Sequence, residues 1–225
     1  MPFAIRMAAA AIALVTAVPA AAQEADFNLW TGQFATINLD RDQETFLRLE
    51  AQERFTDDVG RLGQLLLRPA LGYRLNDKVS IVGGYAYVRT NRASSATSNE
   101  HRVFQELNIR LVDTPEGLRL ESRTRLEQRF FEGDGDTALR LRQFLQLRAP
   151  ISERNSLVVY TEPFFGLNET EMQQGGMDAW RNFAGISVPL ARGIELVPGY
   201  LNQYAFRAGE DRIDHIANLN LYLDF

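Results

Sequence analysis

The chain carries few groups that could do covalent or acid–base chemistry. Its two histidines are His101, in "NEHRVF", and His215, in "RIDHIA", and it has no cysteine. With Ser94, Ser95 or Ser98 close by in sequence, His101 could serve as a base that activates a hydroxyl for lipid hydrolysis or acyl transfer at a membrane rim, and His215 could do the same with a partner from elsewhere in the fold. No G-x-S-x-G, H-E-x-x-H or phosphate-loop pattern supports that chemistry, and a surface imidazole is the simpler account of both. Asp134 and Asp136 in "EGDGDT" offer carboxylates to a divalent cation but lack the rest of a calcium-loop pattern, so they read as a solvated loop. No catalytic residue, metal or cofactor is expected.

A larger set of ionisable groups is arranged with a period. In "RLESRTRLEQRF", Arg119, Glu121, Arg123, Arg125, Glu127 and Arg129 occupy every second position. On a helix they would spread around the cylinder, whereas on a strand all of them project from one face. The same alternation places Arg48, Glu50 and Arg54 on one face of their segment. It does so again for Arg68 and Arg74, for Arg102, Glu106 and Arg110, for Arg140, Arg142 and Arg148, and for Glu162 and Arg181. These residues form a candidate charge ladder inside a barrel. Aligning the hairpins so that inward residues face each other puts Glu127 opposite Arg142, Glu121 opposite Arg148, Glu106 opposite Arg123 and Arg102 opposite Glu127. About fourteen arginines against about nine carboxylates then point inward, so an open lumen would favour anions. Whether the ladder fills the lumen or lines a water-filled pore stays open at this stage.

The elements that carry the ladder are strand-like runs at 27–39, 45–55, 64–75, 79–87, 102–111, 119–130, 139–149, 157–167, 179–190, 194–206 and 213–225. Most exceed the ~5 to 6 residues usual in soluble strands. Tight turns at 75–78, 113–117, 151–156 and 191–193 alternate with looser loops at 90–99, 131–137, 168–178 and 207–212, as in outer-membrane barrels. The predicted fold is all-β, an antiparallel up-and-down transmembrane barrel with an Arg/Glu-lined interior. Its strand number should be even, about ten or twelve, according to whether 27–39 is a full strand. Pro69, Pro163 and Pro198 fall inside the runs, which calls for bulges or displaced boundaries there.

The ends agree with export. Residues 1–22 read as a cleaved signal peptide, with Arg6, an apolar run from Met7 to Val18 and an Ala20-Ala21-Ala22 cleavage site, leaving a single domain over 23–225. The net charge of -5 gives no argument for nucleic acid, and no later apolar run is long enough for a spanning helix. At the other end Leu219, Leu221, Leu223 and Phe225 share one face, like the assembly signal of bacterial outer-membrane barrels. Trp30, Tyr73, Tyr85, Tyr87, Phe130, Trp180, Tyr200 and Tyr204 are expected near strand ends as aromatic girdles. The expected location is the bacterial outer membrane. The expected partners are outer-membrane lipid, lipopolysaccharide and, during biogenesis, the barrel assembly machinery. A soluble periplasmic lipocalin-like barrel has the same period with its faces exchanged. Oligomeric state is not legible.

The strings "LWTGQF", "RPALGYRL", "NEHRVFQEL", "RTRLEQRF", "WRNFAGISVPL" and "VPGYLNQY" occur in this order across the mature chain. Together they resemble a bacterial family of outer-membrane barrels catalogued as domain-of-unknown-function family 2490. The resemblance implies a barrel in the outer membrane. The family has no established activity, so it implies no catalytic residues.

Overall fold

The computed structural model describes residues 24–93, 96–207 and 209–225. The expected signal peptide at 1–22, and Ser94 and Ser95, lie outside the described residues. Eleven strands follow one another: β1 (Glu24–Asn38), β2 (Thr45–Thr56), β3 (Arg61–Arg74), β4 (Val79–Thr90), β5 (Ser98–Asp113), β6 (Arg119–Phe131), β7 (Thr137–Pro150), β8 (Ser156–Gly166), β9 (Gly176–Ala191), β10 (Ile194–Ala205) and β11 (Arg212–Asp224). Alternation is what makes them strands. In β5, Glu100, Arg102, Phe104 and Glu106 are buried while Val103 and Gln105 between them and Leu107 after them are exposed, which is the period-2 signature of two unlike faces.

Each strand pairs antiparallel with its sequence neighbours, and β1 closes the barrel by lying parallel to β11, from Glu24 opposite Arg212 to Thr36 opposite Asp224. The expectation of ten or twelve strands is therefore corrected to eleven. The reason is directional. β11 runs toward the end where the short turns lie, and β1 runs the same way before turning at 39–44 into β2, so the two can join only in parallel. The seam continues past the strand ends, with the Phe225 amide donating to the Thr36 carbonyl at 2.9 Å and the Asn38 amide donating to the Phe225 carbonyl at 3.0 Å.

Pro69 and Pro198 are accommodated without register change, contrary to the expected bulges, whereas Pro163 sits next to one, the register shift at Phe164/Phe165. Pro69 pairs with Leu49 on β2, Pro163 with Trp180 on β9 and Pro198 with Leu219 on β11. On the opposite side of each, the ladder opens locally and then resumes in the same register, as from Leu67↔Tyr87 to Ala70↔Gly84. Besides the one beside Pro163, register shifts sit at Arg54/Phe55, Arg110/Val112 and Ile194/Glu195.

Inside, aromatic rings lie over inward glycines. A Cβ at Gly72 would fall within the Phe46 ring, and one at Gly199 would reach Phe183, so only glycine lets these rings lie flat against the sheet. The interior has two apolar clusters. One comprises Trp30, Val158, Phe183, Val197, Leu201 and Ile216, flanked by Tyr160 and Tyr222. The other comprises Phe46, Ala70, Val82 and Phe104. Trp30 is thus an inward core residue, 7% exposed, and not part of an outer girdle as its position near a strand end suggested.

Candidate functional site

The sequence-predicted charges point into the lumen, and most converge on five carboxylates. Glu127, 1% exposed, accepts from Arg140 Nη2 at 2.6 Å, Arg142 Nη1 at 2.9 Å and Arg125 Nη1 at 3.4 Å, with Arg102 at 4.0 Å. Glu106 bridges Arg48 and Arg125, and Glu50 holds Arg68. Glu162 binds Arg142 at 2.8 Å and Arg123 at 2.9 Å. Glu100 takes both Nε and Nη2 of Arg102 at 2.7 Å, and also Arg129. Because most of these carboxylates serve two or more guanidiniums, cations exceed anions locally. Ring faces take up part of that excess: Arg125 lies 4.7 Å from the Phe104 centroid, and Arg140 and Arg142 lie 5.3 and 4.4 Å from Phe164. Arg forms such forked and stacked arrangements where Lys does not.

The network is thickest toward the looser loops, where one loop folds onto it. Gln173, buried in the 167–175 connection, accepts from Arg129 at 3.1 Å and donates to the Leu139 carbonyl at 2.8 Å. Toward the short turns the lumen widens into a cavity of about 530 Å³. It opens among Asn76, Asp77, Lys78 and Asp224 and reaches inward to Trp30, Arg54 and Arg68. At this end Arg148 forks onto Glu195 at 2.7 and 2.8 Å. Arg110 and Arg119 meet Asp113 at the rim at 3.2 and 3.1 Å, with Glu121 3.8 Å from Arg110.

Three predicted ladder residues have no carboxylate partner among the described residues. Arg54 donates to Gln64 and Gln52 and stacks 4.0 Å from the Trp30 centroid. Arg181 donates to Gln203 and stacks 4.9 Å from the same ring. Arg74 donates to the Asn38 side chain and the Gln43 carbonyl, over Phe46.

The strand registers differ from those expected from the hairpins. Glu127 lies opposite Arg140, Arg142 opposite Arg125, Arg148 opposite Arg119 and Glu121 opposite Gln146; Glu106 faces Arg125, and Arg102 faces Arg129. Each expected pair is displaced by two residues, which keeps every side chain on its face. Glu127 still reaches Arg142, because long side chains bridge diagonally across the ladder. Sequence reasoning missed Glu100, Gln173, Glu195 and Asp214. Glu100 shares the parity of Arg102, two positions before the expected strand start, and that parity was the available signal; Gln173 belongs to a loop and had none.

The histidines lie on the outer face. Tyr85 Oη is 2.5 Å from His101 Nδ1, and Tyr200 Oη is 2.6 Å from His215 Nδ1. Each imidazole thus contacts a phenol across a strand pair.

Comparison with known proteins places this barrel in a family. An uncharacterized protein of Methylorubrum extorquens is 35% identical over 181 residues, covering 78% of this chain and 79% of the relative. No solved structure matches. The family model described as "Protein of unknown function (DUF2490)" matches residues 27–214, and the chain belongs to that family.

Proposed function

We propose that the protein is an outer-membrane β-barrel whose lumen is closed toward the loop end by its ion-pair network, a structural barrel with a blind cavity and not a through channel. The observation that carries this reading is the inverted distribution of polarity on one continuous sheet. Leu67, Leu71, Ile81, Val103, Leu145 and Ile186 face outward and are exposed, whereas Glu106, Arg125 and Glu127 are buried within. In water that arrangement forfeits the burial of each aliphatic side chain, roughly 1.5–3 kcal/mol apiece. In hydrocarbon it forfeits nothing. A lipocalin-like soluble barrel requires the opposite arrangement.

Other features support the same reading. The strands are 11 to 16 residues long, enough for a tilted transmembrane strand of ~9–11 residues. Polar groups on the outer face satisfy one another laterally: Thr124 Oγ1 donates to Gln143 at 2.7 Å, Gln143 to Ser122 at 2.8 Å, and Gln105 and Gln128 exchange bonds at 3.2 Å. Such pairing lets a polar side chain face an apolar medium. The Tyr85–His101 and Tyr200–His215 pairs fit an interfacial belt, where amphipathic rings sit at headgroup level, and in this reading they have no catalytic role.

The test is fractionation followed by bilayer recording. The mature protein should appear in the outer-membrane fraction, shift its gel mobility on boiling, and give no steady conductance in a planar bilayer. Recovery from the soluble periplasm would overturn the membrane reading. A stable open channel would overturn closure of the lumen.

A further inference from the structure

The turn-end cavity differs chemically from the rest of the chain. The protein as a whole carries a net charge of -5, yet the residues lining the cavity include nine cations and five carboxylates. Three of these cations pair with carboxylates behind the lining, Arg48 with Glu106, Arg110 with Asp113 and Arg148 with Glu195, so the uncompensated charge lies with the others. At the inner end Arg54, a lining guanidinium without a carboxylate partner, lies 4.0 Å from the Trp30 ring, and Arg181, behind the lining, approaches the same ring at 4.9 Å. Arg181 stands opposite Glu162 on β8 and is joined to Asp214 through Gln203, which donates to Asp214 at 2.9 Å. Buried donors there also lack partners: Trp30 Nε1, Arg54 Nε, Arg68 Nε and Arg123 Nε, all on residues that line the cavity. Like charges held together with unsatisfied N–H groups are costly unless an anion or water completes the site.

The wall next to Trp30 is apolar. Tyr160 and Tyr222 line the cavity as half-buried rings packed over the Trp30, Val158, Phe183, Val197 and Leu201 cluster. A site of about 530 Å³ with one apolar wall and a few convergent cationic donors has the make-up of a small-molecule pocket. A bare inorganic anion would satisfy the donors and leave the apolar wall against water.

We propose that the turn-end cavity binds a small organic anion, its carboxylate or phosphate against Arg54 and Arg68 beside Trp30 and its aromatic or short aliphatic body on the rings of Tyr160 and Tyr222. The ligand enters from the short-turn end. The inference rests on the cavity alone and stands whether or not the barrel resides in a membrane.

Trp30 reports on the site directly. The chain has two tryptophans, and the other, Trp180, is 40% exposed on the outer face, so Trp180→Phe leaves Trp30 as the sole tryptophan, read by excitation at the red edge where tyrosine does not absorb. Phenylacetate and phenyl phosphate should each give a saturable change in its emission, and neutral 2-phenylethanol none. Inorganic phosphate should bind roughly tenfold or more weakly than phenyl phosphate, and Arg54→Gln should weaken phenylacetate by a similar factor, about 1.4 kcal/mol or more. Calorimetry on the unsubstituted protein repeats the comparison between phenylacetate and 2-phenylethanol, so the proposal can be judged even if a variant fails to fold. Equal binding of 2-phenylethanol, undiminished affinity in a folded Arg54→Gln barrel, tighter binding of inorganic phosphate than of phenyl phosphate, or no saturable binding of either aryl anion at millimolar concentration would each overturn it.

Discussion

Two sides of the lumen use arginine in opposite ways. Toward the loops, Arg102, Arg129, Arg140 and Arg142 each reach Glu100, Glu127 or Glu162, and the guanidiniums act as cross-links between strands. On β2 and β3, beside Trp30 and Phe46, Arg54 and Arg74 have only amides, carbonyls and ring faces as partners. The residue type is the same, so the difference lies in the local supply of carboxylates. Where they are plentiful the lumen is filled, and where they run short a cavity with uncompensated positive charge remains. Composition alone predicts neither side, because the interior excess of arginine is an average over both.

The largest expected effect comes from breaking the filled side at its centre. Glu127→Ala removes a buried carboxylate shared by Arg140, Arg142 and Arg125. Arg142 keeps Glu162 and Arg125 keeps Glu106, but Arg140 retains only Asp178 at 3.3 Å. Breaking a buried pair in this way typically costs ~3 to 5 kcal/mol, which should appear as a marked fall in the denaturant midpoint of the detergent-folded barrel. A variant as stable as the parent would mean that the network is hydrated and does not seal the lumen.

A smaller loss is expected at the seam. Deleting Phe225 removes its backbone bonds with Thr36 and Asn38, at about 0.5–1.5 kcal/mol each, together with the aromatic end of the presumed assembly signal. Folded yield in a refolding assay should fall, and fraying should concentrate in β1 and β11, measurable as faster amide exchange there. Unchanged exchange in both strands would show that the parallel seam does not depend on the chain end.

Much of this was legible in the sequence, for a definable reason. Alternation fixes parity, so the inward placement of Arg119 to Arg129 on β6 could be read from "RLESRTRLEQRF" alone. Parity is blind to a slip of two residues, since such a slip leaves every side chain on its face. That is why Glu127 was expected opposite Arg142 and lies opposite Arg140. Between β5 and β6 the shift at Arg110/Val112 restores the parity that the turn alone would have broken, and no turn residue announces it. Strand direction at the seam was also hidden. The sequence marks 27–39 as strand-like, but only its partnership with β11 makes the count eleven, and pairing between chain ends leaves no local pattern. Trp30 shows the remaining limit: its position near a strand end suggested a girdle, whereas its parity with Asn28 and Gly32 sends it into the core.

The smallest effect sharpens the comparison most. Arg148 and Glu195 make a forked pair with geometry as good as any in the network, at 2.7 and 2.8 Å, but their side chains are 25% and 26% exposed at the mouth of the cavity. Geometry alone would rank this pair with Glu127 and its arginines, whereas solvation ranks it far lower, at ~0 to 1 kcal/mol. Salt separates the two accounts. In about 1 M salt the screening length falls to roughly 3 Å, so the stability gap between Arg148→Gln and the parent should close, while the gap produced by Glu127→Ala, shielded from ions, should persist. Denaturant unfolding of both variants at low and high salt measures this directly. If the Arg148→Gln loss proves large and insensitive to salt, the turn-end mouth excludes water as the loop end does, and the division of the lumen into a sealed half and a solvated half fails.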